Sequence, residues 1–411
     1  MTKPDNHPIT LSRRSLLGAG AGTLALSLIG CGGDGGGSAG VGSGGTGSFS
    51  SGPIRGFGSI VVGTIHYDEA GAEVFNDAGQ PASADTLRLG MVVEVVGAPV
   101  TTTSRGRRRA RAHEINVRSE IKGPVDEIDL VLGTFSVLGQ TIVITPSTVF
   151  EEQLRGGLQA LEPGQVVEVS GLMQRSGLYT ATRVEPAYEP VTRYKLRGRI
   201  SHLDTSARTL RIGDARISWA GISPSGGELA DGRFVRVEIA TQQEPDGTWR
   251  ALAIRVSPPF YNRRPGGGEE VEIEGYVDSI SGASDSFTML GLTVDYSGAR
   301  FEDGTASDLV TGARVEVEGR MSADGSFLIA REIEFEDDDD DDDEFEVEGR
   351  IDDVWPASQT FLVRGITVDY SGARFEDGSA SDLMVGARVE VEGRLSPDGT
   401  ILLASEIEFD D

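Results

Sequence analysis

Apolar and charged residues alternate along much of the second half of this chain. Val271-Glu-Ile-Glu-Gly-Tyr-Val277 and Phe345-Glu-Val-Glu-Gly-Arg-Ile351 have a period of two. That period marks half-buried antiparallel strands, one face on a core and the other polar. Each is followed by a short apolar strand, Phe287-Thr-Met-Leu290 or Phe361-Leu-Val363, and in the first case a third around Leu292-Thr-Val294. Ile333-Glu-Phe335 and Ile407-Glu-Phe409 close the pattern, after hairpin turns at Ser322-Ala-Asp-Gly325 and Ser396-Pro-Asp-Gly399. The glycine inside each opening strand lets a strand bend around the corner of a small barrel. No long amphipathic helical pattern occurs.

The same phrase recurs upstream. Gly-x-x-Val-x-Val-x-Gly starts at Gly90, Gly164, Gly312 and Gly386, with a degraded copy from Gly232 to Ile239. Successive starts lie 74, 68, 80 and 74 residues apart. A fixed spacing of this size makes the repeat the unit of folding. The phrases and their trailing strands (Ala112-His-Glu-Ile115, Ala330-Arg-Glu-Ile333, Ala404-Ser-Glu-Ile407) resemble the bacterial domain of unknown function 5666. That resemblance implies OB-like β-domains in tandem in predicted lipoproteins, and brings no activity or site residues. The expected fold is all-β, five tandem OB-like barrels of about 70 residues on a string. They span 54–119, 120–191, 192–260 (divergent), 269–336 and 344–411, with linkers at 261–268 and 337–343.

The N-terminus supplies an address. Arg13 and Arg14 form a twin-arginine pattern ahead of an apolar run from Leu16 to Gly30. That run is shorter than the ~20 residues a membrane span needs, so residues 1–30 are expected to be a signal peptide. It ends in Leu28-Ile29-Gly30-Cys31, similar to a lipobox, and Cys31 is the single cysteine of the chain. Cys31 is expected to carry lipid. Residues 31–53 are Gly/Ser-rich and read as a flexible tether. Gly32, rather than Asp, after the cysteine favours the outer over the inner membrane of a bacterial envelope.

Charge narrows the partners. The chain carries 37 basic and 65 acidic side chains, a net charge of −28; without residues 1–30 the counts become 34 and 64, a net of −30. This disfavours nucleic acid and anionic membrane surfaces. The partners expected are the membrane through the N-terminal lipid, and an envelope protein or glycan.

Three features are candidate sites. Arg105, Arg107, Arg108, Arg109 and Arg111 cluster at a hairpin tip of the first repeat. They could hold a polyanion or pair with acidic surface on a neighbouring repeat. Asp337, Asp338, Asp339, Asp340, Asp341, Asp342 and Asp343 form a spacer able to gather divalent cations loosely. The stretch Val294–Gly304 recurs at Val368–Gly378, and residues 294–337 match 368–411 at 34 of 44 positions. Likeness spread over core and turns points to duplication, and the acids do not alternate as in a calcium loop. Catalytic material is scarce, with four histidines, no metal-spaced pair and no nucleophile elbow. Trp219, Trp249 and Trp355 are read mainly as core, with sugar stacking as the alternative. No cofactor and no specific metal site are expected, and the chain is read as a non-enzymatic binding or spacer protein. The alternative is an envelope hydrolase or metal-dependent enzyme with a carboxylate site between barrels.

Overall fold

The leading glycine of the recurrent phrase sets the geometry of each barrel. Gly90, Gly164, Gly232, Gly312 and Gly386 all have φ between 75° and 89°, the left-handed region that glycine enters without a Cβ penalty. Each donates its N–H to a carbonyl on, or one residue past, the first strand of its own barrel: Ile54, Val125, Ile200, Val277 and Ile351, at 2.7–2.9 Å. The turn thereby anchors strand four against strand one, and the Val-x-Val core pair follows.

These strands are seen in a computed structural model that describes residues 47–104, 106–188, 190–256, 260, 264–282, 284–336 and 344–409. Cys31, Arg13, Arg14, Arg105 and the aspartates 337–343 lie outside the described residues. In barrel five the strands are Phe345–Trp355, Thr360–Val363, Ile366–Asp369, Arg388–Leu395 and Ile401–Phe409. Strand one pairs with two and four, two with three, and four with five; strand three closes the ring by pairing parallel with five. The same closed cycle is present in the first barrel (opening strand Ser48–Phe57) and the second (Ile121–Asp129). In the third and fourth the opening strand is broken: Tyr194–Arg199 and Glu270–Tyr276 pair with strand four, while Ser201–Asp204 and Ser279–Ser281, just after the break, pair with strand two. The fold is all-β and OB-like. Among the described residues no helix is long and apolar enough to cross a membrane.

The barrels do not hang as separate beads. The described residues from 47 onward form one compact unit. Strand one of the first barrel pairs parallel with strand one of the fourth (Ser48–Ser51 with Glu270–Ile273) and with strand one of the fifth (Gly56–Phe57 with Glu346–Val347). The opening strands of barrels two and three pair antiparallel, Ile121 opposite Leu196. The apolar cores merge accordingly. One cluster joins barrels one and five, a second joins two and three, and the fourth barrel's core takes in Phe49 and Phe260.

Docking also corrects the tether. The segment expected to be flexible to residue 53 is strand from Ser48 onward. Ser48, Phe49, Ser50 and Ser51 are buried because this strand runs between strand four of its own barrel and barrel four. The small residues there permit close packing rather than freedom.

Candidate functional site: charged seams and clefts between barrels

A strand that alternates apolar and charged residues buries one face in its barrel and offers the other to a neighbour. Glu94, Arg118, Glu120, Arg183, Lys195, Arg197, Glu272, Glu274, Arg314 and Glu316 are all buried in this way. Several of them pair across the seams. Arg118 reaches Glu94 and Glu120, and Glu120 also meets Arg197 at 3.2 Å, which joins barrels one, two and three. Lys195 sits between Asp77 at 2.7 Å and Glu168 at 2.9 Å. Burial alone would raise the Glu168 carboxyl, but Lys195 and Lys122 outweigh it and hold it at about 2. Glu274 is shared by Arg314 of its own barrel and Arg55 of barrel one.

The arginine hairpin of barrel one belongs to this network. Arg108 donates to Glu270, Glu272 and Glu318 of barrel four at 2.7–2.9 Å. Its neighbour Arg107 points to the opposite face of the strand and pairs with Glu390 of barrel five. Glu272/Glu316/Glu318 and Glu346/Glu390/Glu392 are the same three positions in the two sister barrels, each a set of converging carboxylates. Barrel one therefore slots between the sisters and places one arginine in each set. Arg109 and Arg111 remain exposed.

Two acids of the first set, Glu272 and Glu316, are buried and hydrogen-bonded to each other. Burial, then the charge of Glu272, pushes Glu316 well above the carboxylate range. Glu302/Glu332/Glu334 form a third acidic group, in which Arg300 bridges Glu302 at 2.5 Å and Glu332 at 2.6 Å. In the duplicated stretch, Asp295 caps the turn by accepting from the Ser297 N–H at 3.0 Å. Tyr296 and Phe301 join Phe287 and Phe335 in an aromatic row that barrel five repeats as Phe361, Tyr370, Phe375 and Phe409. This stretch does structural work in both copies.

Two open clefts lie where seams widen. The first, about 640 Å³, has Pro124, Asp126 and Leu138 of barrel two on one wall and Arg211, Arg216, Gln243, Asp246 and Trp249 of barrel three on the other. Gln140 of barrel two ties the two barrels together by donating to the Ile212 carbonyl at 2.8 Å. The second, about 470 Å³, lies between barrels one and five and contains Ser59, His66, Asp68, Arg107 and Glu390. There the Ser59 hydroxyl (3.3 Å) and a Glu346 oxygen (3.7 Å) approach the same nitrogen of His66, Nδ1.

The alternation pattern concealed both clefts, because residues that meet in them come from different repeats. One signal was available. Arg211 and Arg216 lie one residue further out than Ile212 and Ala215, which flank the two-residue turn Gly213-Asp214. Such a turn sets the residues of its two strands opposite each other, and the register pairs Arg211 with Arg216 directly. Of the three tryptophans, Trp249 is buried, Trp219 is half-buried beneath Arg208 at 5.6 Å, and Trp355 is exposed.

Three segments, residues 122–185, 274–334 and 348–408, match the family described as domain of unknown function (DUF5666). They correspond to barrels two, four and five, so the match recurs in three repeated segments of the chain. The chain is a modular protein of repeated β-domains. No curated protein matches the chain. Among solved structures it is similar to drosophila Unr CSD456, at 14% identity over 55% of this chain and 99% of that one, with a TM-score of 0.14.

Proposed function

We propose that this chain is a lipid-anchored, non-enzymatic envelope protein that holds a body of docked barrels off a membrane and binds a protein or glycan. The observation that carries the reading is the order Leu28-Ile29-Gly30-Cys31, then a Gly/Ser run, then barrels that begin at Ser48. A lipid on Cys31 and a short coil would place that body close to the bilayer, and Gly32 favours the outer membrane. The inter-barrel acids support a non-catalytic role, since their charge is met by Arg107, Arg108, Arg55 and Arg314. The aspartates 337–343 would serve as a spacer that gathers divalent cations loosely.

Metabolic labelling with palmitate tests the anchor. Wild type should incorporate label and fractionate with envelope membranes, whereas Cys31→Ala should do neither. Equal labelling of both would end the reading.

Converging carboxylates between barrels one and four favour a second reading, a hydrolase or metal-dependent enzyme. Its acids Glu272 and Glu316 are hydrogen-bonded to each other, closer than the ~5 Å or more that glycosidase pairs keep. Stoichiometric metal in the purified chain, or turnover in a glycosidase and phosphatase screen, would favour it over the first.

A further inference from the structure

Strands two and three of every barrel form a hairpin, and the second cross-strand pair from its turn lies outside the barrel's core cluster. That pair is Val61 with His66 in barrel one, Ser136 with Thr141 in barrel two, Thr288 with Thr293 in barrel four and Leu362 with Thr367 in barrel five. In barrel three it is Arg211 with Arg216, both exposed. Like charges directly opposed on an antiparallel pair repel. The fold does not require them, since the other barrels close the same hairpin with hydroxyl, aliphatic and imidazole side chains.

Neighbouring acids do little to relieve this repulsion. Arg216 has Asp246 at 3.8 Å, with both side chains half exposed or more. Asp246 is itself engaged by the N–H and hydroxyl of Thr248, each at 3.0 Å. The Arg211 guanidinium has no ion pair or hydrogen bond among the described residues. Barrel three also stands apart in charge. Residues 192–256 hold eleven basic and seven acidic side chains, whereas residues 269–336 hold four and sixteen.

An oxyanion set between two guanidiniums turns their repulsion into attraction through charge-assisted hydrogen bonds. Both arginines line the 640 Å³ cleft, a volume in the range of ligand pockets, roughly 300–1,000 Å³. The other lining groups limit the ligand. Asp126, Asp214 and Asp246 would repel a polymer charged at every unit, while Asp126 and Gln243 offer acceptors to hydroxyl donors.

We infer that this cleft binds an acidic saccharide: a sugar unit whose single carboxylate or phosphate lies between Arg211 and Arg216 and whose hydroxyls reach Asp126 and Gln243. This inference rests on the reading of the chain as a binding protein and names the ligand class for it. An acidic peptide offers the charge without the hydroxyls and fits the lining less well.

Calorimetric titration of the full chain tests it with four probes: a uronic-acid disaccharide, glucose 6-phosphate, a neutral disaccharide and a glutamate-rich peptide. The uronate or the sugar phosphate should bind, the better of the two identifying the anionic group, and the neutral sugar should not. Arg211→Thr with Arg216→Thr, which rebuilds the pair of barrel four, should weaken acidic-sugar binding at least tenfold while melting no lower than wild type. Arg211→Lys with Arg216→Lys keeps the charge but loses the planar fork, and should weaken it as well. Unchanged affinity in the Thr variant, equal binding of neutral and acidic sugars, tighter binding of the peptide, or no binding of either acidic sugar would each overturn the proposal. A crosslinking pull-down from envelope membranes separates the two levels. If it captures a partner equally with wild type and the Thr variant, the ligand class falls and the binding reading stands. If it captures nothing and no sugar binds, both fall.

Discussion

At the scale of single residues, Glu316 ties the seam between barrels to pH. Its carboxyl is buried, hydrogen-bonded to Glu272 and held well above the ordinary value of 4.5. Folding therefore retains a proton that the unfolded chain releases above about pH 4.5. Stability from this group is fully present below that value and declines as pH rises towards the folded value, by at most about 1.4 kcal/mol per pH unit. Glu272 and Asp126 are also raised and act in the same direction. Glu168, held at about 2, acts oppositely and only below about 4.5. Glu316→Gln imitates the protonated acid, so it should flatten the decline between pH 5 and 8 and be more stable than wild type at pH 8. Urea titrations across that range check this, and parallel curves for the two proteins would refute it. The sequence showed Glu316 only as an outward charge in Val-x-Val, because its burial depends on a strand some 200 residues away. By contrast, the leading glycines of the phrase were legible. Their positive φ is a local need of the turn, and all five meet it.

At the scale of elements, the strand from Arg108 to Arg118 and its hairpin show how alternation acts between barrels. Consecutive arginines point to opposite faces, and each face meets a different sister barrel. Arg108 matters more, because its partner Glu272 is 1% exposed and would be left buried without its cation. Loss of one partner from a buried pair costs about 3–5 kcal/mol, which is the range expected for Arg108→Met. Arg107 is a third exposed, and its replacement by Met should cost about 1 kcal/mol or less. Arg109→Met should be close to neutral. Pairing Arg108→Met with Glu272→Gln should recover part of the loss. Urea unfolding midpoints would show this order, and an Arg109 effect as large as that of Arg108 would contradict it. The basic run was evident from the sequence, and pairing with acids of a neighbouring repeat was one of its two readings. Which acids, and in which repeat, depended on barrels one, four and five packing through their first strands. No periodicity records that choice.

At the scale of the whole molecule, the boundary between solvent and interior is drawn by docking rather than by the repeat. A string of independent barrels would keep polar strand faces wet, cores separate and the early Gly/Ser segment loose. Instead Ile54, Ile60, Val62 and Ile65 of barrel one share a cluster with Phe345, Val347 and Ile351 of barrel five, and Phe57 carries Arg364 over its ring at 6.0 Å. Glycines allow the approach: a Cβ on Gly56 would lie 2.7 Å from the Glu346 carbonyl oxygen. Barrels two and three have their own joint cluster. Removal of barrel five should therefore damage the far end of the sequence more than the middle. A chain ending at residue 336 exposes the partner half of barrel one's core and the edge of its first strand, an invitation to association. It should bind a hydrophobic dye, self-associate, and lose amide-exchange protection across residues 48–118, while 121–256 keep most of theirs. Hydrogen exchange with mass spectrometry resolves the two regions in one experiment. Undiminished protection of 48–118 in the shortened chain would mean that barrel one is autonomous, and that the shared core with barrel five contributes little to its stability.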